Sequence, residues 1–309
     1  MEIIRGLKNL KKSHHGCVAT IGNFDGVHLG HQYVLGELAE KGANLGLPTV
    51  LIIFEPQPQE FFLKDKAPGR LTRFREKIRA LLRLAVDRVF VMSFNKKLAN
   101  QKAEDFIQKV LVKGLGIKHL VVGEDFRFGK KRAGDFALLQ QAGEEYGFMV
   151  ESMHNFEIDA ERVSSTRVRK ALADGDLNLA KKLLGRPYRM CGRVAHGDKR
   201  GRDIGFPTAN IHIHRKVAPL TGVFVVEMFG IEGEPVSGVA NLGIRPTADG
   251  VKTLLEVHLF DFNLDIYGSY VSVDFLHKIR DEKKFESFDL LKQQIQLDVR
   301  QAETKLKSS

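Results

Sequence analysis

The sequence predicts two domains: an α/β domain built on a parallel sheet, then a small antiparallel β-barrel domain with a C-terminal helix. Three observations predict it. Short apolar β-rich runs alternate with helical patterns through the first part of the chain. Near Pro187 that alternation gives way to strands and turns. The end of the chain then carries one apolar stripe at helical spacing.

In chain order, residues 17–21, 49–54, 88–92 and 119–122 read as buried strands, because each is an almost unbroken apolar run. A helix over 31–45 gathers Val34, Leu35, Leu38 and Ala39 on one face, and Phe74, Ile78, Leu81 and Leu82 do the same in the next helical segment. Strands separated by helices imply parallel pairing through right-handed crossovers. Leu172, Leu179, Leu183 and Leu184 belong to short helices that Gly185-Arg186-Pro187 breaks, so the domains are expected at 1–185 and 186–309. Strands follow at 188–195, 222–229, 236–242, 253–260 and 270–275. The final helix starts at an N-cap Ser287 and aligns Phe288, Leu291, Ile295, Val299, Ala302 and Leu306.

At 309 residues, 43% hydrophobic and 28% charged, the chain has the material for two cores. Its net charge of +10 favours anionic ligands, from nucleotide phosphate to nucleic acid. No run of five Lys or Arg, no Trp and no RNA-binding motif occurs, so no nucleic-acid partner is expected. Cys17 and Cys191 are too few for a disulfide scaffold and fit a reducing compartment. With no signal-peptide pattern and no run of eighteen apolar residues, the expectation is a soluble cytoplasmic protein with no membrane partner.

The first strand runs into Gly22-Asn23-Phe24-Asp25-Gly26-Val27-His28-Leu29-Gly30-His31, which opens the first helix. Open α/β sheets bind ligands at such strand-to-helix turns. Glycines permit tight turns, and the N–H groups of a helix start favour an anion. Read alone, His28 and His31 fit surface residues, metal ligands or phosphate donors; their place after a glycine-flanked strand favours phosphate. Ser164-Ser165-Thr166-Arg167-Val168-Arg169 is a second phosphate candidate, and equally an N-cap followed by solvated arginines.

These segments resemble the nucleotidylyltransferase superfamily, whose His-x-Gly-His and Ser-x-Thr-x-x-Arg-type signatures bind ATP phosphates. Together with Phe54-Glu55-Pro56-Gln57-Pro58 and the run from Val122 to Gly129, they resemble the adenylyltransferase half of bacterial bifunctional riboflavin kinase/FAD synthetases. The resemblance implies a Rossmann-like nucleotidylyltransferase domain in which FMN attacks the α-phosphorus of ATP and pyrophosphate leaves. It implies catalytic roles for His28, His31 and Arg167. Nucleotide contacts would come from Gly22, Asn23, Phe24, Asp25, Gly30, Ser164 and Thr166, and flavin contacts from Phe54, Pro56, Pro58, Asp125, Phe126 and Phe128.

The barrel opens with a nineteen-residue stretch, from Gly192 to Asn210, rich in Gly, Lys and Arg. Such a loop can cover a polyphosphate or form a plain hairpin, and the oxygens of Thr208 and Asn210 suit Mg²⁺. Strand alternation sends Glu256 and His258 away from Leu255, Val257 and Leu259, toward water or toward a site. The stretch resembles riboflavin kinases, as do Asn241 to Thr247 and Glu256 to Phe262. That resemblance implies nucleotide binding by Gly192, Gly197, Lys199, Gly201 and Arg202, and metal binding by Thr208 and Asn210. It also implies a flavin-side loop containing Arg280, and Glu256 as general base for the riboflavin 5′-hydroxyl. The substrates would be ATP, riboflavin and FMN. Phe224 stands where tyrosine is expected, and Gln57 where histidine is also common.

Overall fold

The strands form where side chains find apolar partners on both faces. A computed structural model describes residues 1–196, 205–215, 217–231, 233–247 and 250–307. Its contacts divide into two units: Met1–Pro68 with Arg73–Val163, and Gly69–Thr72 with Ser164–Ser309.

In the first unit the chain runs through β1 (Glu2–Arg5), β2 (Val18–Ile21), α1 (Leu29–Leu45), β3 (Thr49–Glu55), α2 (Pro58–Leu63), α3 (Phe74–Leu81) and β4 (Arg88–Ser93). It continues through α4 (Lys96–Ala99), α5 (Ala103–Phe106), β5 (His119–Gly123), α6 (Phe136–Tyr146) and β6 (Met149–Met153). A two-stranded hairpin follows, β7 (Glu157–Ile158) with β8 (Glu161–Arg162). The main sheet is parallel throughout, in the order β1-β4-β3-β2-β5-β6.

Alternate side chains go to opposite faces. Val18, Leu51, Ile53 and Val89 pack against Leu35 and Leu38 of α1 and Leu81 of α3. Ala19, Ile52, Phe90 and Leu120 pack against Phe106, Leu111 and Leu139. The edge strands β1 and β6 escape a search for apolar runs, because β6 reads Met-Val-Glu-Ser-Met and is only half-buried. The expected face on the second helix needs correction. Leu82 lies just past the end of α3 and is 59% exposed, whereas Lys77 on the same helix is fully buried.

From the central β2 the chain moves to β3 and β4 on one side, and later to β5 and β6 on the other. The carboxyl ends of β2 and β5 therefore flank a topological switch point, where open parallel sheets form their ligand crevice.

The second unit begins with α7 (Ser165–Ala173) and α8 (Leu177–Leu184), the latter ended by left-handed Gly185 at φ 71°. The strands β9 (Tyr188–Ala195), β10 (Ala209–His212), β11 (Gly222–Phe229), β12 (Val236–Thr247), β13 (Gly250–Leu259) and β14 (Tyr270–Arg280) follow, before α9 (Phe288–Lys307). All pairings are antiparallel, and the barrel closes in the order β10-β13-β12-β11-β14-β9. The remote segment Gly69–Thr72 is held by the Tyr188 hydroxyl, which donates to the Leu71 carbonyl at 3.1 Å, and by the buried Arg215 guanidinium on the Arg70 and Leu71 carbonyls.

Ser287 caps α9, its hydroxyl accepting from the Leu290 N–H at 3.3 Å. Only the second half of the expected stripe is core: Val299, Ala302 and Leu306 pack against Val223, Val225 and Val239. Phe288 is 64% exposed, and with Leu291 and Ile295 it lines a cavity, so the apolar surface there faces an opening.

Candidate active sites

The turn joining β2 to α1 is strained. Phe24, Gly26 and Val27 adopt φ of 48°, 87° and 45°. For a β-branched residue such as Val27 this conformation costs about 1–3 kcal/mol and persists only where the surroundings impose it. The Gln32 side-chain amide donates to the Val27 carbonyl at 2.9 Å, and the Lys77 ammonium to the Asn23 carbonyl at 2.5 Å. Phe24 and Asp25 are buried. Of the glycines, Gly26 supplies the left-handed φ. Gly22 and Gly30 supply space: a Cβ at Gly22 would lie 2.9 Å from the Phe24 ring, and one at Gly30 3.1 Å from the Val163 carbonyl.

His28 is the N-cap of α1, its Nδ1 accepting from the His31 backbone N–H at 3.3 Å. That bond leaves Nδ1 unprotonated, so a neutral His28 carries its proton on Nε2. The His31 ring stacks on His28 at 3.6 Å and on Phe24 at 4.6 Å between centroids. Burial, reinforced by His28, Lys77 and Arg162, holds the His31 pKa well below the ordinary histidine range. Its Nδ1 is sealed from solvent with no hydrogen-bond partner among the described residues. Two stacked imidazoles at a helix start, one with an unanswered polar atom, form a cradle suited to phosphate oxygens. The sequence pointed to both histidines but gave no sign of Lys77 or of the capping bond.

A cavity of about 410 Å³ in the same unit is walled by Phe54, Phe62, Phe94, Phe106, Phe126 and Phe128. Phe54 and Phe62 meet Phe94 edge-on at 5.8 and 5.7 Å, while Phe126 and Phe128 lie nearly parallel at 5.5 Å. Pro58 also lines it; Pro56 and Asp125 do not. The Asp125 carboxylate accepts instead from Arg162 at 2.9 Å. Gln57 is buried, and its amide nitrogen has no hydrogen-bond partner among the described residues. Phe54 is the penultimate residue of β3 and Phe126 follows β5, so this cavity lies at the carboxyl edge of the sheet. Phe62 and Phe94 were missed because isolated aromatics in a helix and a loop carry no pattern.

Ser164 caps α7, its hydroxyl accepting from the Arg167 N–H at 3.2 Å. Thr166 is exposed and Arg167 half-buried. Arg169 donates to the Gly69 carbonyl at 2.8 Å, a structural bond within the second unit.

In the barrel, Glu256 on β13 stands opposite Asn210 of β10 and Asn241 of β12. Directly paired residues share a face, so a carboxylate is flanked by two amides. The neighbouring Val257 is fully buried, as the alternation required. Glu256, Asn241 and Thr208 line a cavity of about 460 Å³ whose other walls include Val223, Val239 and Leu291. His258 bonds through Nδ1 to the Pro207 carbonyl at 2.9 Å and meets Phe206 edge-on, which ties down the approach to Thr208.

Thr208, Asn210 and Glu256 offer hard oxygen donors, a set that fits a divalent cation shared with water and phosphate. Among the described residues no cluster of three or more His, Cys, Asp or Glu forms a self-sufficient metal site. Gly192 has a packing reason, since a Cβ there would lie 2.5 Å from the His212 carbonyl. Gly197, Lys199, Gly201 and Arg202 fall outside the described residues.

Arg280 lines the same cavity, with its guanidinium fixed by buried Asp298: Nε reaches Oδ1 and Oδ2 at 2.9 and 3.1 Å, and an Nη reaches Oδ2 at 2.7 Å. The Glu282 carboxylate packs so closely on Gly243 that a Cβ there would lie 1.9 Å from it. Phe224 is buried edge-on to Phe275, a packing role that needs no hydroxyl.

Comparisons with known proteins give each half a family. The FAD synthetase family model matches residues 10–167, and the riboflavin kinase model residues 184–306. The chain is 54% identical over 302 residues to the bifunctional riboflavin kinase/FMN adenylyltransferase of Haemophilus influenzae, covering 98% of each chain. It is 52% identical over 299 residues to the protein of the same name in Escherichia coli K12, covering 96% of each. Among solved structures, one from Streptococcus pneumoniae described as a macrolide-efflux protein superposes with a TM-score of 0.82 at 32% identity, covering 96% of this chain and 97% of that one. Among the described residues no helix is long and apolar enough to cross a membrane. Similarity at this level along nearly the whole length, with one family model on each half, means that the chain belongs to the bifunctional riboflavin kinase/FMN adenylyltransferase family.

Proposed function

We propose that residues 1–185 carry adenylyl transfer and residues 186–309 riboflavin phosphorylation, with the named side chains in the following roles. The chain phosphorylates riboflavin to FMN with ATP, then joins FMN to the adenylyl group of a second ATP, giving FAD and pyrophosphate. The observation that carries the reading is the pairing of an anion-binding helix start with an aromatic cavity at the carboxyl edge of one sheet.

In adenylyl transfer an FMN phosphate oxygen attacks the α-phosphorus and pyrophosphate leaves, so no protein nucleophile is required. The work is to hold two anions in line and to stabilise the developing charge. His28 donates through Nε2–H, and the neutral His31 ring lies beside it. Ser164, Thr166 and Arg167 take phosphate-binding roles on the strength of their motif. Phe54, Phe126 and Phe128 offer flat apolar surface to the flavin ring.

In the kinase half, Glu256 accepts the proton of the riboflavin 5′-hydroxyl as that oxygen attacks the γ-phosphorus and ADP leaves. Asn210 and Asn241 flank the carboxylate and orient it. Thr208 and Asn210 would hold Mg²⁺, which supplies charge neutralisation at the polyphosphate. Arg280, fixed by Asp298 and lining the same cavity, takes the flavin-side role on the strength of its motif. Two buried cysteines outside any disulfide suit the cytoplasm, and the partners are ATP, riboflavin and FMN, without nucleic acid.

The test is chromatography of flavins formed from riboflavin, ATP and MgCl₂. A folded His28→Ala/His31→Ala protein should accumulate FMN and make little FAD. FAD formation at the unsubstituted rate would refute the histidine assignment.

A further inference from the structure

Lys77 reads in the sequence as an ordinary polar position on α3, yet its side chain has no solvent exposure. Lysine is almost never fully buried unless it is paired, because an ammonium gives up strong hydration. Its nitrogen reaches across 54 positions of sequence to the Asn23 carbonyl, 2.5 Å away.

That carbonyl belongs to the peptide unit whose N–H is that of Phe24, the first left-handed residue of the turn. In a trans peptide C=O and N–H point in opposite directions, so a bond from α3 that fixes the carbonyl turns the Phe24 N–H away from α3. Gln32 does the equivalent for the Val27–His28 peptide at the second strained position. Two side chains thus anchor two carbonyls beside the residues that carry the strain. Lys77 alone of the two adds a charge, and that charge is felt at His31.

We propose that Lys77 is a positioning residue of the adenylyl-transfer centre: its buried ammonium locks the Gly22–His28 turn in its strained form and adds a fixed positive field under the ATP phosphates. The inference rests on the assignment of that turn to ATP. A purely structural lysine predicts a different outcome. Its removal would lower stability with no selective loss on the ATP side, whereas a positioning lysine takes the turn geometry and the field with it and so acts on ATP first.

The experiment uses the full chain, supplied FMN and ATP, and FAD formation followed by chromatography. Lys77→Met should lower kcat/KM for ATP by roughly 10- to 100-fold, the usual loss when a supporting partner is removed. KM for FMN should stay within about twofold and riboflavin phosphorylation should be unchanged, while loss of a buried partner lowers the melting temperature. Lys77→Arg, which keeps charge and donor, should recover part of the ATP-side loss. If Lys77→Met does not fold, Lys77→Arg decides: retention of the ATP dependence supports the proposal, and equal loss in ATP and FMN parameters overturns it. A folded Lys77→Met with unaltered kcat/KM for ATP overturns it as well. The double histidine variant run in parallel separates the two readings. If that variant keeps FAD synthesis the site assignment fails; if it loses FAD synthesis while Lys77→Met keeps it, only Lys77 is misassigned.

Discussion

Substituting Asp298 by Asn should detach the C-terminal helix from the barrel more than any surface change on that helix. Asp298 is 2% exposed and Arg280 16%, and two arms of the guanidinium meet the carboxylate between 2.7 and 3.1 Å. The Gln294 amide adds a further bond at 2.9 Å. Removing one partner of a buried pair costs about 3–5 kcal/mol. Arg280 keeps some contact with water, so the lower end applies, about 3 kcal/mol. At roughly 3 °C per kcal/mol for a unit of this size, the melting temperature should drop by about 9 °C. Scanning calorimetry of the full chain reads this, with the barrel transition identified by its upward shift in riboflavin. The double variant Arg280→Met/Asp298→Leu should regain more than half the loss, because no orphaned charge remains. A drop under about 3 °C for Asp298→Asn, or a double variant no better than the single, would refute the reasoning.

Glu256→Gln should lower kinase kcat by roughly 10²- to 10⁴-fold while FAD formation from supplied FMN is spared; full kinase turnover in single-turnover experiments would remove the carboxylate from its role as base. His31 is held neutral when folded, so as pH falls below about 6.5 the unfolded chain takes up a proton that the folded chain refuses. Its contribution is present above that pH and lost below it, by up to about 1.4 kcal/mol per pH unit. Urea midpoints at pH 7.5 and 5.5 should therefore differ less in His31→Gln than in the parent, and equal differences would contradict the neutral assignment. Leu177, Ala180, Leu183 and Leu184 of α8 are buried, and α8 lies on β9 and β14, so a fragment of residues 164–309 should melt higher than one of 187–309. Each exposed leucine withdraws about 1.5–3 kcal/mol, and identical melting of the two fragments would show that α8 adds nothing to the barrel.

The parallel sheet was legible because its central strands are apolar on both faces: Val18, Leu51, Phe90 and Leu120 need no alternation to be recognised. Edge strands follow other rules, and Met149–Met153 looked like loop because one side of it meets water. The strand-to-helix turn was legible as well, since His28 and His31 follow a strand and open a helix. What could not be read was the burial of charge. Nothing local distinguishes Lys77 from a solvated lysine, or Asp298 from the polar face of a long helix; partners 54 and 18 positions away bury them. The attachment of Gly69–Thr72 to the second unit is a tertiary contact with no sequence signature. Apolar periodicity also cannot tell a core from a cavity, so Leu291 and Ile295 read like Val299 and Ala302.

Closure of the barrel decides where another polypeptide could add a strand. Every strand from β9 to β14 has two neighbours, which leaves β1 and β6 as the free borders of the larger sheet. The β1 border is four residues long, with Glu2 and Arg5 exposed. At the β6 border the Glu151 carboxylate accepts from Lys41 at 2.8 Å and from His119 at 2.9 Å, so an incoming strand would have to settle against a charged cluster. Both borders are thus guarded by length or by charge, so the exposed Phe62 at the mouth of the aromatic cavity is not matched by an open sheet edge.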